Sequence, residues 1–181
     1  MAASIYTRTG DGGMTAHPVR GRVSKADATI ELAGRVDETV VTLNEACQVC
    51  EEANLDDLHR ALERSMRDLW WLVTQTGDGR KADDDDSIDS VAEVRWLESE
   101  IDALDAQLPA LDGFIVPGGC PAARRLHEAR VQVRALERLL HAPDMPPQND
   151  AVYALVNRMS DFLFVAARYA NFQCGHAESM L

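Results

Sequence analysis

Apolar positions fall at helical spacing along most of the chain. From about Asp27 to Glu52 there is no proline, and Asp27 stands where it can cap a long first helix. Leu55, Leu58, Leu62, Leu69 and Val73 recur at three, four and seven, predicting a second amphipathic helix that Gly77-Asp78-Gly79 stops. Val94, Leu97, Ile101, Leu104 and Leu108 hold a/d spacing in a third, ended by Pro109. A fourth runs from about Ala122 to His141, closed by Pro143, Pro146 and Pro147. Val152, Leu155, Val156, Met159, Leu163 and Ala166 mark a fifth, which ends before Gly175. No segment alternates convincingly with the period of a strand, and no internal repeat is present. The pattern predicts an all-α, up-and-down five-helix bundle. It forms one domain over residues 1–181, with a flexible N-terminal segment, 1–25, ahead of the first helix.

Composition narrows the possible partners. The 181 residues carry a net charge of −12, which opposes non-specific nucleic-acid binding and anionic membrane surfaces. An anionic ligand must therefore be held by locally concentrated cations and backbone dipoles. No run approaches the roughly 18 apolar residues of a membrane span, and the first residues lack the apolar stretch of a signal peptide. Four cysteines do not suggest a disulfide framework. Cys47 and Cys50 read as structural thiols, and Cys174 with His176 supplies too few ligands for a metal site. A cytoplasmic protein fits best. Trp70, Trp71 and Trp96 read as core or subunit-interface residues, His127 as packed, and His17 and His59 as surface. Residues 80–87 contain four consecutive aspartates and fail the calcium-loop pattern, because Ile88 stands where glycine is needed.

Two regions carry candidate chemistry. Thr7-Arg8-Thr9-Gly10-Asp11-Gly12-Gly13-Met14-Thr15 combines glycines that allow a close backbone approach, hydroxyl donors and a guanidinium. Such a segment suits a polyphosphate, although it is not a Walker A loop, since no Gly-Lys-Ser/Thr closes it. The second region is on the fourth helix. Arg130, Arg134 and Arg138 recur every four residues, so one face presents guanidiniums about 6 Å apart. Glu128 and Glu137 lie near them in sequence. This row reads either as an anion site or as a salt-bridged exposed face. Asn157, at the edge of the fifth helix's apolar stripe, could read a nucleoside or tie two helices together.

Taken in order, these motifs resemble the PduO-type corrinoid adenosyltransferases along nearly the whole chain. Tyr6-Thr7-Arg8-Thr9-Gly10-Asp11-x-Gly13-x-Thr15 looks like that family's N-terminal ATP segment, followed by its basic motif in Arg22-Val23-Ser24-Lys25. Gly34-Arg35-Val36-Asp37-Glu38 and Phe114-Ile115-Val116-Pro117-Gly118-Gly119 are similar to two further family motifs. Leu126-His127-x-Ala129-Arg130, Arg134, Glu137-Arg138 and Asn157-Arg158-x-Ser160-Asp161-x-Leu163-Phe164 complete the set.

The resemblance implies a homotrimer with sites at subunit interfaces. There the 5′-deoxyadenosyl group of ATP would pass to cob(I)alamin, giving adenosylcobalamin and triphosphate. It assigns Thr7, Arg8, Thr9, Gly10, Gly13, Thr15 and Lys25 to the triphosphate, with Mg²⁺ bridging phosphates and no metal held by the protein alone. Arg138 and Glu137 would hold nucleotide from a neighbouring subunit, and Asn157 the nucleoside. Arg134 would pair with Asp37 across the interface and support the corrin site, and Arg130 would be among the cofactor-binding residues. Phe114 would exclude a lower axial ligand from cobalt. A cob(II)alamin reductase and a B12-dependent client enzyme would be partners.

The chain departs from the family at Ala135, where a second arginine is usual, at Leu136, at Thr39-Val40, and at Gly12 and Met14. Those departures motivate an alternative, a catalytically weak corrinoid-binding or escort protein of the same fold. A helical oligomer that senses ATP alone is a third reading, opposed by Phe114 in its Phe-x-x-Pro-Gly-Gly loop.

Overall fold

A computed structural model describes residues 5–78 and 88–181 of the chain. Five helices dominate it: α1 (Ala28–Glu52), α2 (Asp56–Asp78), α3 (Ser90–Asp105), α4 (Pro121–Leu140) and α5 (Asp150–Gln173). The four-aspartate segment 80–87 lies outside the described residues.

Local chemistry accounts for the helix starts. Asp27 caps α1 by accepting from the Thr29 amide at 3.0 Å. Asp89 caps α3 through Val91 and Ala92, and Asn149 caps α5 through Ala151. At α4 no side chain caps. Pro121 opens that helix instead, at a position whose N–H would be unpaired in any case.

α4 packs on both α1 and α5, α1 packs on α2, and α3 packs on α5. The core between them includes Leu32, Leu43, Leu62, Leu97, Leu126, Leu136, Leu155 and Phe162, all fully buried. α5 is the most enclosed helix. Its buried positions run from Val152 to Asn171 and include Arg168.

The helical reading holds, with one addition. Ahead of α1, β1 (Met14–His17) and β2 (Gly21–Ser24) form an antiparallel hairpin, pairing Thr15 with Val23 and His17 with Gly21. Arg20 fastens this hairpin to the start of α1, donating to both oxygens of Asp27 (2.9 and 2.6 Å) and to the Thr29 hydroxyl (2.7 Å). That fork holds the Asp27 carboxyl well below the usual carboxylate range.

The hairpin also overturns one surface assignment. His17 is buried, because its Nδ1 accepts the amides of Val19 and Arg20 at the turn. His59 is half-buried against Cys47. His127 is buried as the sequence implies. Trp71 and Trp96 pack on the core, whereas Trp70 stays 56% exposed.

Candidate active site

The Gly/Thr segment forms a shaped loop in front of the hairpin. Arg8 (φ 58°) and Gly13 (φ 80°) adopt left-handed backbone, the conformation in which neighbouring N–H groups can converge. The Gly13 amide donates to Gly10 O (3.3 Å), and the Lys25 amide donates to Gly13 O (2.9 Å). Arg22 donates to the carbonyls of Thr9 and Met14, drawing the loop across the hairpin. An added Cβ at Gly10 would stand 3.4 Å from Lys25 Nζ, so the ammonium sits directly beside the loop. Thr7 and Thr9 share a hydroxyl–hydroxyl bond of 2.8 Å. Among the described residues, neither Arg8 nor Lys25 has a carboxylate partner. Arg8 lies over the Tyr6 ring at 5.4 Å.

The second cluster is built on α4 and α5. Asn157 donates to Glu137 Oε1 at 2.8 Å, tying the two helices at the polar edge of the stripe. The helix-tying role considered for Asn157 is thus present. Glu137 Oε2 lies 4.0 Å from Arg134, and Arg138 donates back to the Arg134 carbonyl at 3.0 Å. Glu128 is not part of this row. It pairs with Arg125, three positions earlier, which turns it to another face.

Arg130 differs from the other two arginines because it is enclosed. Its guanidinium lies over the Phe164 ring at 6.0 Å, and its Nε is buried without a hydrogen-bond partner. Burial, with Arg134 nearby, lowers its pKa. Behind it, His127 is buried with both ring nitrogens unpartnered, 6.4 Å from Phe164 between ring centres. Burial first, then Arg130, pushes that imidazole down to about 4, so it is neutral at neutral pH.

Arg130 and Phe164 also line a cavity of about 620 Å³ with Leu111, Gly113, Phe114 and Pro117. The Phe114 ring is 85% exposed at its rim. One wall is apolar and aromatic, and the other carries a guanidinium. That suits a large flat ligand with polar edges.

Asp37 lies apart from these groups. With Val40, Glu63, Met66, Arg67 and Trp70 it lines a groove of about 470 Å³ along α1 and α2. Among the described residues, no hydrogen bond or ion pair joins Asp37 or residues 7–25 to Arg130, Arg134 or Arg138. Within one chain, the Gly/Thr loop and Asp37 each stand apart from the α4–α5 cluster with Phe114.

Sequence reasoning missed Arg168 and Asn171, which hold the Phe114 loop. A charged residue and an amide inside the largely apolar run Val165 to Phe172 were the available signal, since such groups are buried only with partners. Among the described residues, no group of three or more His, Cys, Asp or Glu is placed to hold a metal ion. All four cysteines are free thiols.

Comparison with known proteins gives the chain's relatives by sequence and by fold. Residues 5–170 match the family model for cobalamin adenosyltransferase. The chain is 36% identical over 168 residues to corrinoid adenosyltransferase PduO of Salmonella typhimurium, covering 91% of this chain and 49% of that protein. It therefore spans about half the length of the first curated relatives it matches. It is 32% identical over 179 residues to a corrinoid adenosyltransferase of Bacillus subtilis, covering 94% of this chain and 88% of the relative. A solved Phe-to-Ala variant of a PduO-type ATP:corrinoid adenosyltransferase from Lactobacillus reuteri, complexed with cobalamin and ATP, superposes with a TM-score of 0.87. The two are 28% identical, with 98% of this chain and 99% of that one covered. By sequence and by fold, this chain belongs to the cobalamin adenosyltransferase family.

Proposed function

We propose that this protein transfers the 5′-deoxyadenosyl group of ATP to the cobalt of a reduced corrinoid, releasing triphosphate. The observation that carries the reading is the cavity in which the exposed Phe114 faces the half-enclosed Arg130, next to the Arg134–Glu137–Asn157–Arg138 row. An apolar platform beside a cationic row is what a macrocycle meeting a nucleotide requires.

In the reaction, cobalt(I) attacks the 5′ carbon of ATP. A cobalt–carbon bond forms as the carbon–oxygen bond to the triphosphate breaks, and the triphosphate departs with that electron pair. No proton moves at the reacting centre, so no general base is needed. The chain's residues align the two substrates and stabilise the leaving anion.

Thr7, Arg8, Thr9, Gly10, Gly13, Thr15 and Lys25 would surround the triphosphate. Mg²⁺ would arrive on the phosphates, because it keeps waters and needs few protein ligands. Arg138, Glu137 and Asn157 would hold the nucleoside end. Phe114 would cover the lower corrin face and keep an axial ligand away from cobalt, which eases reduction of Co(II).

The two halves of the site are separate within one chain. We therefore assign them to neighbouring subunits of a homotrimer, with Asp37 of one facing Arg134 of the next. Exposed Trp70, Val41 and Val131 are apolar surface that such an assembly would cover. A cytoplasmic setting suits the free thiols. There a reductase would supply Co(I) and a B12-dependent enzyme would take the product.

Ala135 supports a second reading, a corrinoid escort with weak turnover, because it removes one cation from the row. Anaerobic absorbance with Mg-ATP and chemically reduced cobalamin separates the two. Loss of the Co(I) spectrum with growth of a light-sensitive adenosylcobalamin spectrum, abolished in Arg138→Ala, is the expected result. A bound corrinoid spectrum with no conversion would replace the enzyme reading with the escort.

A further inference from the structure

The Phe114 ring is almost fully exposed, so side-chain packing does not fix it. Its backbone is held instead, and the hold leads to α5. On one side of the loop, the Asn171 amide donates to Gly118 O at 3.1 Å and accepts from the Cys120 amide at 2.9 Å. On the other side the partner is the segment after α5. Gly175 (φ 65°) reverses the chain there, with His176 N–H donating to Asn171 O at 2.8 Å. The returning segment pairs antiparallel with the loop through Ile115 and Met180. Val116 N–H donates to Ser179 O, and Leu181 N–H donates to Phe114 O, both at 2.8 Å.

Arg168 secures that segment. It is 3% exposed within an apolar helix, and its guanidinium serves three separate pieces of chain. Nε donates to both oxygens of Glu178 (3.3 and 3.2 Å), in the returning segment. Nη1 donates to Asp105 (3.4 Å) at the end of α3, and Nη2 to Pro109 O (2.8 Å), in the stretch leading to the Phe114 loop. A planar fork donates from three separate nitrogens to groups lying in different directions, whereas a lysine donates from one. A cation this deeply buried must be paired to be tolerated.

We propose that Arg168 is a positioning residue for Phe114, acting through Glu178 and the returning segment to hold the ring at the rim of the corrin cavity. This rests on the corrinoid reading for its catalytic consequence, although the mechanical linkage stands independently of it. Loosening the linkage lets Phe114 withdraw, so an axial ligand stays on Co(II) and reduction slows. The nucleotide loop is built by other residues and is undisturbed.

The test uses Arg168→Gln, Glu178→Gln and Leu181→Pro. Leu181→Pro removes the N–H that Phe114 O accepts, at an exposed position, and keeps the preceding Met180 in the extended region. It and Glu178→Gln therefore keep the question open to refutation if Arg168→Gln fails to fold. Each is measured by hydrogen exchange at the Val116 amide in the free protein. Each is then measured by electron paramagnetic resonance of Co(II)alamin with Mg-ATP, and by steady-state kinetics. We expect faster exchange at Val116, a persisting axial-nitrogen splitting on cobalt, and kcat down about 10-fold with KM for ATP within about 2-fold.

Wild-type exchange and spectra in Leu181→Pro and Glu178→Gln would overturn the proposal. A wild-type protein that makes no adenosylcobalamin would sink the enzyme reading alone. In that case the Val116 exchange rate decides the linkage by itself.

Discussion

At the residue scale, two buried titratable groups set opposite pH dependences. Asp68 on α2 is 3% exposed, and burial together with Glu93 pushes its pKa up to about 7, against the pull of Arg64 and Arg67. Glu93 is itself gripped by Arg64 at 2.8 and 2.9 Å. The folded protein thus keeps a proton on Asp68 that the unfolded chain loses near pH 4. Its contribution to stability is full below that value and declines as pH rises to about 7. His127 does the reverse. Its folded value of about 4 lies below the unfolded one near 6.5, so its contribution is full above pH 6.5 and is lost on acidification.

Thermal melts across pH 4–8 should separate the two groups. Asp68→Asn steepens the loss of Tm on acidification and raises Tm above pH 7. His127→Leu makes Tm rise as pH falls from 6.5 towards 4. Curves parallel to wild type would refute these assignments. The packing of His127 was legible in the sequence; Arg130 was legible as helical spacing, but its burial was not. Spacing places a residue on a face without saying how deeply the neighbouring helix covers it.

At the element scale, caps and turns decide where the functional groups sit. Asn149→Ala removes the α5 cap and should cost about 1 kcal/mol in urea unfolding with an unchanged m-value. Phe162→Ala, in a fully buried position beside Trp96, should cost about 3–5 kcal/mol. Gly119 has φ 110°, and a Cβ there would fall 1.9 Å from Asn171 Oδ1. Gly119→Ala should therefore break the Asn171 clamp, lowering both Tm and corrinoid affinity. An unchanged Tm would show that the clamp can relax.

Helix starts were readable because caps and periodicity are local signals. Asp27 at the head of α1 is an example. The hairpin was not readable, since each strand has four residues and its exposed positions leave little alternation to detect. The Ile115–Met180 pairing was hidden too, because it joins residues far apart in sequence through backbone groups.

At the scale of the whole molecule, a chain of net charge −12 binds polyphosphate only by concentrating cations, and one chain concentrates them in two separate places. The family motifs gave the order of the parts. Which parts meet depends on assembly, which periodicity does not encode. In the proposed trimer, Asp37 of one subunit completes the site that Arg134 of the next begins.

The direct measurement is adenosylcobalamin formation by co-expressed, differently tagged Asp37→Ala and Arg134→Ala chains, purified as mixed oligomers. Each variant alone is expected to be inactive. In a mixed trimer one interface regains both residues, so activity should return to about one third of wild type. Mixed oligomers no more active than either parent would contradict a site shared between subunits.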